Sequence, residues 1–258
     1  MNVKIEGLSF SYQSEKVLHG LSLELNKGEF IGLVGCNGSG KSTLLRCIDN
    51  ILTPQKGSIM LGRENIKELS QNELAKKIGY VAQSETRNFP ATVFDTILMG
   101  RKPHQTWKPS ERDLEITAET ISGLGLDELA MNDINRLSGG QRQKVCIGRA
   151  LAQQPKAILL DEPTASLDIK HQLHVLNLLK NLAKNGTMII TALHDLNMAV
   201  KYADKIVMLK DGVIHSAGGK EVLCKKNIEE VYGVTVEIHK GVDEVVIMPK
   251  GSMEEQNE

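Results

Sequence analysis

Phe30-Ile31-Gly32-Leu33-Val34-Gly35-Cys36-Asn37-Gly38-Ser39-Gly40-Lys41-Ser42-Thr43 joins an apolar run to the pattern G-x-x-x-x-G-K-[ST], and its reading decides the fold. The apolar run has the length and composition of a buried strand, so the motif stands between a strand and a helix, the context a phosphate loop requires. Glycines let consecutive backbone N–H groups turn toward an anion, and a helix starting at Lys41 offers its positive end. Lys41 can reach the β- and γ-phosphates of a nucleotide, and the Ser42 hydroxyl can ligate Mg²⁺. A triphosphate suits this loop; a flavin or a nicotinamide dinucleotide would not need Lys41. The nucleotide-binding candidates are therefore Gly35, Cys36, Asn37, Gly38, Ser39, Gly40, Lys41, Ser42 and Thr43.

Two further stretches give the loop its chemistry. Lys156-Ala157-Ile158-Leu159-Leu160-Asp161-Glu162 reads as an apolar strand ending in adjacent carboxylates and stopped by Pro163. In a doubly wound sheet the ligand lies beyond the carboxyl ends of the strands, so both acids would face the phosphates. Asp161 is placed to hold Mg²⁺ through water, and Glu162 to polarise the attacking water. Leu137-Ser138-Gly139-Gly140-Gln141 separates this chain from kinases and small GTPases. Ser138 is a good N-cap, the glycines allow close backbone approach, and a helix from Gln141 presents N–H groups to an anion. An ordinary capped helix explains Ser138 and one glycine, but it leaves the second glycine and Gln141 unexplained. A second cradle in a chain that already has one suggests two copies meeting head to tail, each signature covering the ATP held by the other.

With these motifs the sequence resembles the ATP-binding subunit of an ABC transporter, over residues 1 to about 220. The resemblance implies further roles: Tyr12 stacks on adenine with Val17 nearby; Gln83, after the strand from Ile78 to Ala82, touches Mg²⁺ and relays the nucleotide state. It also implies that Ser166-Leu167-Asp168 crosses the dimer interface, and that His194, after the strand from Thr187 to Thr191, contacts the γ-phosphate and orients Glu162 and water. On this resemblance Glu162 and His194 are catalytic, Ser42, Gln83 and Asp161 serve the metal, and Ser138, Gly139, Gly140, Gln141 and Asp168 act across the interface.

Met99-Gly100-Arg101-Lys102-Pro103-His104, Leu167 to Gln172, His194 to Ala199 and Val231-Tyr232-Gly233-Val234 are similar to the ATPases of importers for iron-siderophore complexes, haem and cobalamin. That resemblance implies two ATPase copies on two permease subunits, a separate binding protein that delivers the chelate, and a permease contact near Arg101. A soluble ATPase of the same type that drives a cytosolic assembly, such as an iron-sulfur scaffold, would carry similar motifs. The subgroup usually has proline where this chain has Cys36, which adds an N–H and a thiol near the phosphates.

Composition agrees with a soluble motor. A chain of 258 residues can bury a sizeable core, and a net charge of −1 offers no basic field for nucleic acid. No apolar run approaches the roughly 18 residues needed to span a bilayer, and no charged, then apolar, leader pattern opens the chain. The expectation is a peripheral subunit on the cytoplasmic face of the plasma membrane. The four cysteines have no paired metal-ligand spacing, which disfavours a disulfide framework.

The predicted fold is α/β: a P-loop core of mostly parallel strands with helices on both faces, an N-terminal antiparallel flap over residues 3–25, and a helical subdomain over about 84–150 with caps at Thr92 and Ser110. After about residue 220, Glu221 to Cys224 and Asn227 to Tyr232 read as short helices. Val234 to His239 and Val245 to Met248, around Gly241-Val242-Asp243, read as a hairpin that caps the core. Residues 251–258 are expected to be disordered. His171 and His174, three apart on a helix, have the spacing to share a metal, but without acidic or cysteine partners a solvated helix face is expected there.

Overall fold

Alternation with period two builds the first layer. In β1 (Val3–Tyr12) and β2 (Glu15–Leu25), an antiparallel pair, Val3, Ile5, Leu8 and Phe10 and then Leu21, Leu23 and Leu25 are buried, while Ser22 and Glu24 face water. β3 (Phe30–Val34), buried at every position, runs into the phosphate loop, and α1 (Lys41–Ile48) leaves it. β4 (Lys56–Leu61) and the two-residue β5 (Glu64–Asn65) return to the first layer, a sheet in the order β2-β1-β4-β5. The computed structural model describes residues 1–83, 90–165, 167–241 and 245–252, so the expectations for residues 84–89, Ser166, Val242, Asp243 and 253–258 lie outside the described residues.

α2 (Gln71–Ala75), opened by a Ser70–Glu73 capping box, leads to β6 (Ile78–Val81). The helical region follows as α3 (Val93–Leu98), a 3-10 segment at Met99–His104, α4 (Glu111–Gly123) and α5 (Gly139–Ala152). Thr92 and Ser110 cap α3 and α4, accepting from the Asp95 and Asp113 amides at 3.0 and 3.2 Å. Arg101 ties these pieces together. Its Nε donates to Asp113 at 2.9 Å and its Nη1 to the Ala152 carbonyl at 2.6 Å, with both partners of the ion pair 4% exposed. Burial alone would raise the Asp113 carboxyl, but the Ser110 amide and hydroxyl and the Arg101 guanidinium outweigh it and hold it at about 2.

β7 (Ala157–Leu160), α6 (Ile169–Lys184), β8 (Met188–Ala192), α7 (Leu196–Tyr202), β9 (Lys205–Lys210) and β10 (Val213–Gly218) complete the central sheet. Its order is β10-β9-β3-β8-β7-β6, parallel except for β10. The register sets Val81 beside Leu160, Leu160 beside Thr191, and Ala192 beside Leu33. Four strands therefore end at one edge, and the chain leaves that edge into the phosphate loop, Gln83, Asp161-Glu162 and His194. This is the α/β architecture the sequence predicts.

The last elements are α8 (Lys225–Tyr232) and a hairpin of β11 (Val234–Lys240) and β12 (Val245–Ser252). Ile228, Val231, Val236 and Ile247 join the same apolar core as Val34, Leu160 and Met208. Asn197 of α7 bonds both backbone groups of Ile247. Gly251 and Ser252 lie within β12, paired with Thr235 and Val234, so the disorder expected from residue 251 does not begin there. No disulfide joins any of the four cysteines. No described helix is long and apolar enough to cross a membrane.

Candidate active site

The phosphate loop packs closely on its neighbours. Gly35 has φ of 147° and sits where a Cβ would come within 2.2 Å of the Leu209 carbonyl oxygen. Gly40, at φ 101°, leaves no room for a Cβ beside Leu18. Gly38 also has positive φ, and a Cβ there would meet nothing within 4 Å, so this side of the cradle is open. The Ser39 hydroxyl is buried and lacks a hydrogen-bond partner, as suits a loop whose polar groups serve a ligand. Lys41 is buried, and its ammonium donates to the Gly35 and Cys36 carbonyls at 2.8 and 2.9 Å. Burial pulls its pKa below the ordinary value, while Glu162, Cys36 and Asp161 act in the opposite sense.

A cleft of about 330 Å³ opens over this loop. Tyr12, Val17, Asn37, Gly38, Gly40, Lys41, Ser42, Thr43 and Glu162 line it, together with Glu15. Tyr12 is 40% exposed, free on one side for an aromatic ligand, and is held edge-to-face by Phe10 at 4.8 Å between centroids. Arg46, one turn after Ser42, lies close to Tyr80 and Tyr12, which raise its pKa above the ordinary value. Glu15, Arg46 and Tyr80 carry no local sequence signal; they come together because β1, β2, α1 and β6 converge.

The strand-end acids meet the loop directly. Ser42 Oγ donates to Asp161 Oδ1 at 2.7 Å, and the Tyr80 hydroxyl lies 3.4 Å from Asp161 Oδ2. Glu162 stands between two partners, accepting from Gln83 Nε2 at 2.5 Å and facing His194 Nε2 at 2.6 Å. Its backbone takes φ of 51°, a left-handed conformation that costs a residue with a Cβ about 1–2 kcal/mol. A carboxylate held in this strained way at a cleft floor can accept a proton from a water molecule. The oxygen-rich set of Ser42, Gln83 and Asp161 fits a hard cation such as Mg²⁺.

The signature stands apart from the cleft. Ser138 and Gly139 are exposed, Gly140 is buried, and no residue lining the cleft comes from α5. Gln141 and Ser138 form a capping box: the Gln141 amide donates to Ser138 Oγ at 3.3 Å and the Ser138 amide to Gln141 Oε1 at 3.0 Å. A Cβ on Gly140 would lie 2.7 Å from the His171 ring. Gly140 and Gln141 thus each have a structural reason inside the protomer. Asp168 caps α6 by accepting from the His171 amide at 2.9 Å, and its Oδ1 lies 2.7 Å from His171 Nδ1. His171 therefore links Asp168 to the signature, which corrects the expectation of a merely solvated face. Cys36 points away from the cleft floor toward α8, its thiol donating to the Val231 carbonyl at 3.2 Å.

The family model described as ABC transporter matches residues 18–165, more than half of the chain. The chain belongs to this family. It is similar to an ABC transporter ATP-binding protein of Methanocaldococcus jannaschii, with 46% identity over 252 residues, 97% of this chain and 99% of that one. It is also similar to the ferric enterobactin transport ATP-binding protein of Escherichia coli, with 38% identity over 235 residues, 89% of this chain and 86% of that one. Among solved structures it resembles a chain of an inward-facing ABC transporter described as of the metal-chelate type, at a TM-score of 0.84 and 31% identity, covering 96% of each chain. As an ABC protein it is an ATP-binding ATPase whose hydrolysis is coupled to transport.

Proposed function

We propose that this chain is the ATP-hydrolysing subunit of an importer for metal chelates of the iron-siderophore, haem or cobalamin kind. It acts as a peripheral subunit on the cytoplasmic face of the plasma membrane. The observation that carries the chemistry is Glu162, strained in its backbone and held between Gln83 and His194 at the edge that bears the phosphate loop. The substrate class rests on the similarity to the enterobactin and metal-chelate type proteins.

ATP binds with its adenine on Tyr12 beside Val17 and its phosphates in the loop from Gly35 to Thr43, with Lys41 on the β- and γ-phosphates. Ser42 and Gln83, and Asp161 through water, would hold Mg²⁺, which supplies charge neutralisation on the phosphates. Glu162 takes the proton of the attacking water as its oxygen bonds to the γ-phosphorus and the β–γ bridging bond breaks, releasing ADP. His194 orients Glu162 and the γ-phosphate. A second copy, head to tail, completes each site with Ser138, Gly139, Gly140 and Gln141, and Asp168 crosses between them. Residues 1–220 form this motor, with residues 221–258 capping it. Closure pulls on two permease subunits, which a substrate-binding protein loads from outside. Met99 and Lys102, beside the buried Arg101, line a groove of about 360 Å³ suited to a permease segment.

The test is to purify the tagged chain from detergent-solubilised native membranes and identify what remains bound by mass spectrometry. A polytopic permease in equal amount is the expected result. Recovery of soluble proteins alone would overturn the importer reading in favour of a cytosolic assembly such as an iron-sulfur scaffold.

A further inference from the structure

The segment Val231-Tyr232-Gly233-Val234 has no part in the mechanism above, yet it reaches the first residues of the phosphate loop. The Cys36 thiol donates to the Val231 carbonyl at 3.2 Å. The Tyr232 hydroxyl is buried against Gly35 and Cys36, and burial pushes it well above the ordinary tyrosine range. The Gly35 backbone lies near this hydroxyl, which is buried and makes no hydrogen bond. On its other side Gly35 is pressed against the Leu209 carbonyl, where no side chain fits. The loop's first glycine is thus gripped between β9 and the last turn of α8.

That last turn is itself held firmly. Lys210 donates to the Glu230 carbonyl at 2.6 Å, His215 lies 2.8 Å from the Glu230 carboxylate, and Ile228 and Val231 are buried. Gly233, at φ 68°, ends the helix there. The C-terminal end of a helix carries unpaired carbonyls and partial negative charge, which would repel a phosphate close by. Here Lys210 covers the Glu230 carbonyl and Cys36 covers that of Val231. A buried hydroxyl without a partner is costly, and it is tolerated where another state of the protein supplies the partner.

We propose that the last turn of α8 buttresses the phosphate loop from behind and that Tyr232 is a positioning residue, its hydroxyl accepting from the Gly35 amide when the loop closes on ATP. The Cys36–Val231 bond holds the loop's next residue in register for that step. This extends the proposed function, because it rests on ATP binding by the loop and gives the C-terminal extension a part in it.

The experiment measures ATP affinity of the purified full-length chain by titration calorimetry, and its thermal midpoint without nucleotide, for the wild type and for Tyr232→Phe, Cys36→Ala and Cys36→Ser. One neutral hydrogen bond corresponds to about a three- to tenfold change in Kd. Tyr232→Phe is expected to weaken ATP binding by that factor without lowering the midpoint, because the hydroxyl has no partner to lose. Cys36→Ala should weaken binding in the same direction, and Cys36→Ser, which keeps a donor, should restore most of it. Unchanged affinity in Tyr232→Phe would overturn the proposal, as would a loss of affinity accompanied by a lowered midpoint. A wild type that does not bind ATP would instead remove the functional reading beneath it.

Discussion

The phosphate loop and the signature are both glycine-rich stretches that open a helix, and they are finished in opposite ways. α1 begins at Gly40, a left-handed residue with no side chain to cap the helix, so its first amides are left to a ligand. α5 begins at Ser138, which shares a capping box with Gln141 and satisfies two donors within the chain. Around the first lie the buried Ser39, Lys41 and Thr43 and the strand-end acids; Ser138 and Gly139 of the second are exposed. One region is a nearly complete half-site. The other is a capped surface turn, and in the proposed head-to-tail pairing its partner is another copy.

The largest expected effect isolates the chemistry of the first region. Glu162→Gln should lower hydrolysis by about 10²- to 10⁴-fold, the usual worth of a general base, while ATP still binds and drives a dimer seen by size-exclusion chromatography. Near-normal turnover would remove Glu162 as the base, and a monomer with bound ATP would break the head-to-tail pairing.

Gly140→Ala comes next, with a roughly tenfold or larger loss of hydrolysis, because its Cβ would press into the His171 ring. If that clash is the cause, adding His171→Ala should recover much of the activity. Failure to recover would mean that Gly140 is needed for approach by the partner's nucleotide rather than for packing in its own protomer.

Ser138→Ala should cost about 1 kcal/mol of stability as a lost cap, measurable by chemical denaturation. Its activity defect should appear in kcat, with the ATP affinity of the isolated chain held within about twofold. Equal losses in both would erase the distinction between the two regions. The smallest effect concerns Cys36, an exposed thiol in the first region. An alkylating reagent should inhibit the ATPase partially and MgATP should protect, whereas inhibition persisting in Cys36→Ser would place the sensitive group elsewhere.

What could be read from the sequence follows the reach of each interaction. Strand period, strand-end acids and the caps Thr92 and Ser110 depend on residues a few positions apart, and these the sequence displays. The Ser138–Gln141 box is equally local, and the same stretch suits both a helix start and, in the proposed pairing, a ligand. His171 meets Gly140 only where α6 packs beside the start of α5, and Tyr232 approaches Gly35 only after the whole sheet has been laid down. Arg101 looks like a surface cation until Asp113 and the Ala152 carbonyl bury it. Nor does any local pattern announce the left-handed backbone of Glu162, which is imposed by the turn from β7.

The two hydrogen bonds from Lys41 to the carbonyls of Gly35 and Cys36 have a thermodynamic meaning. An ammonium has three protons, and here two tether the side chain to its own loop, leaving one for an anion. Freezing a lysine costs up to about 2 kcal/mol of rotamer entropy. In this chain that ordering is completed during folding, so an arriving triphosphate meets a charge already aimed and need not supply the free energy to aim it.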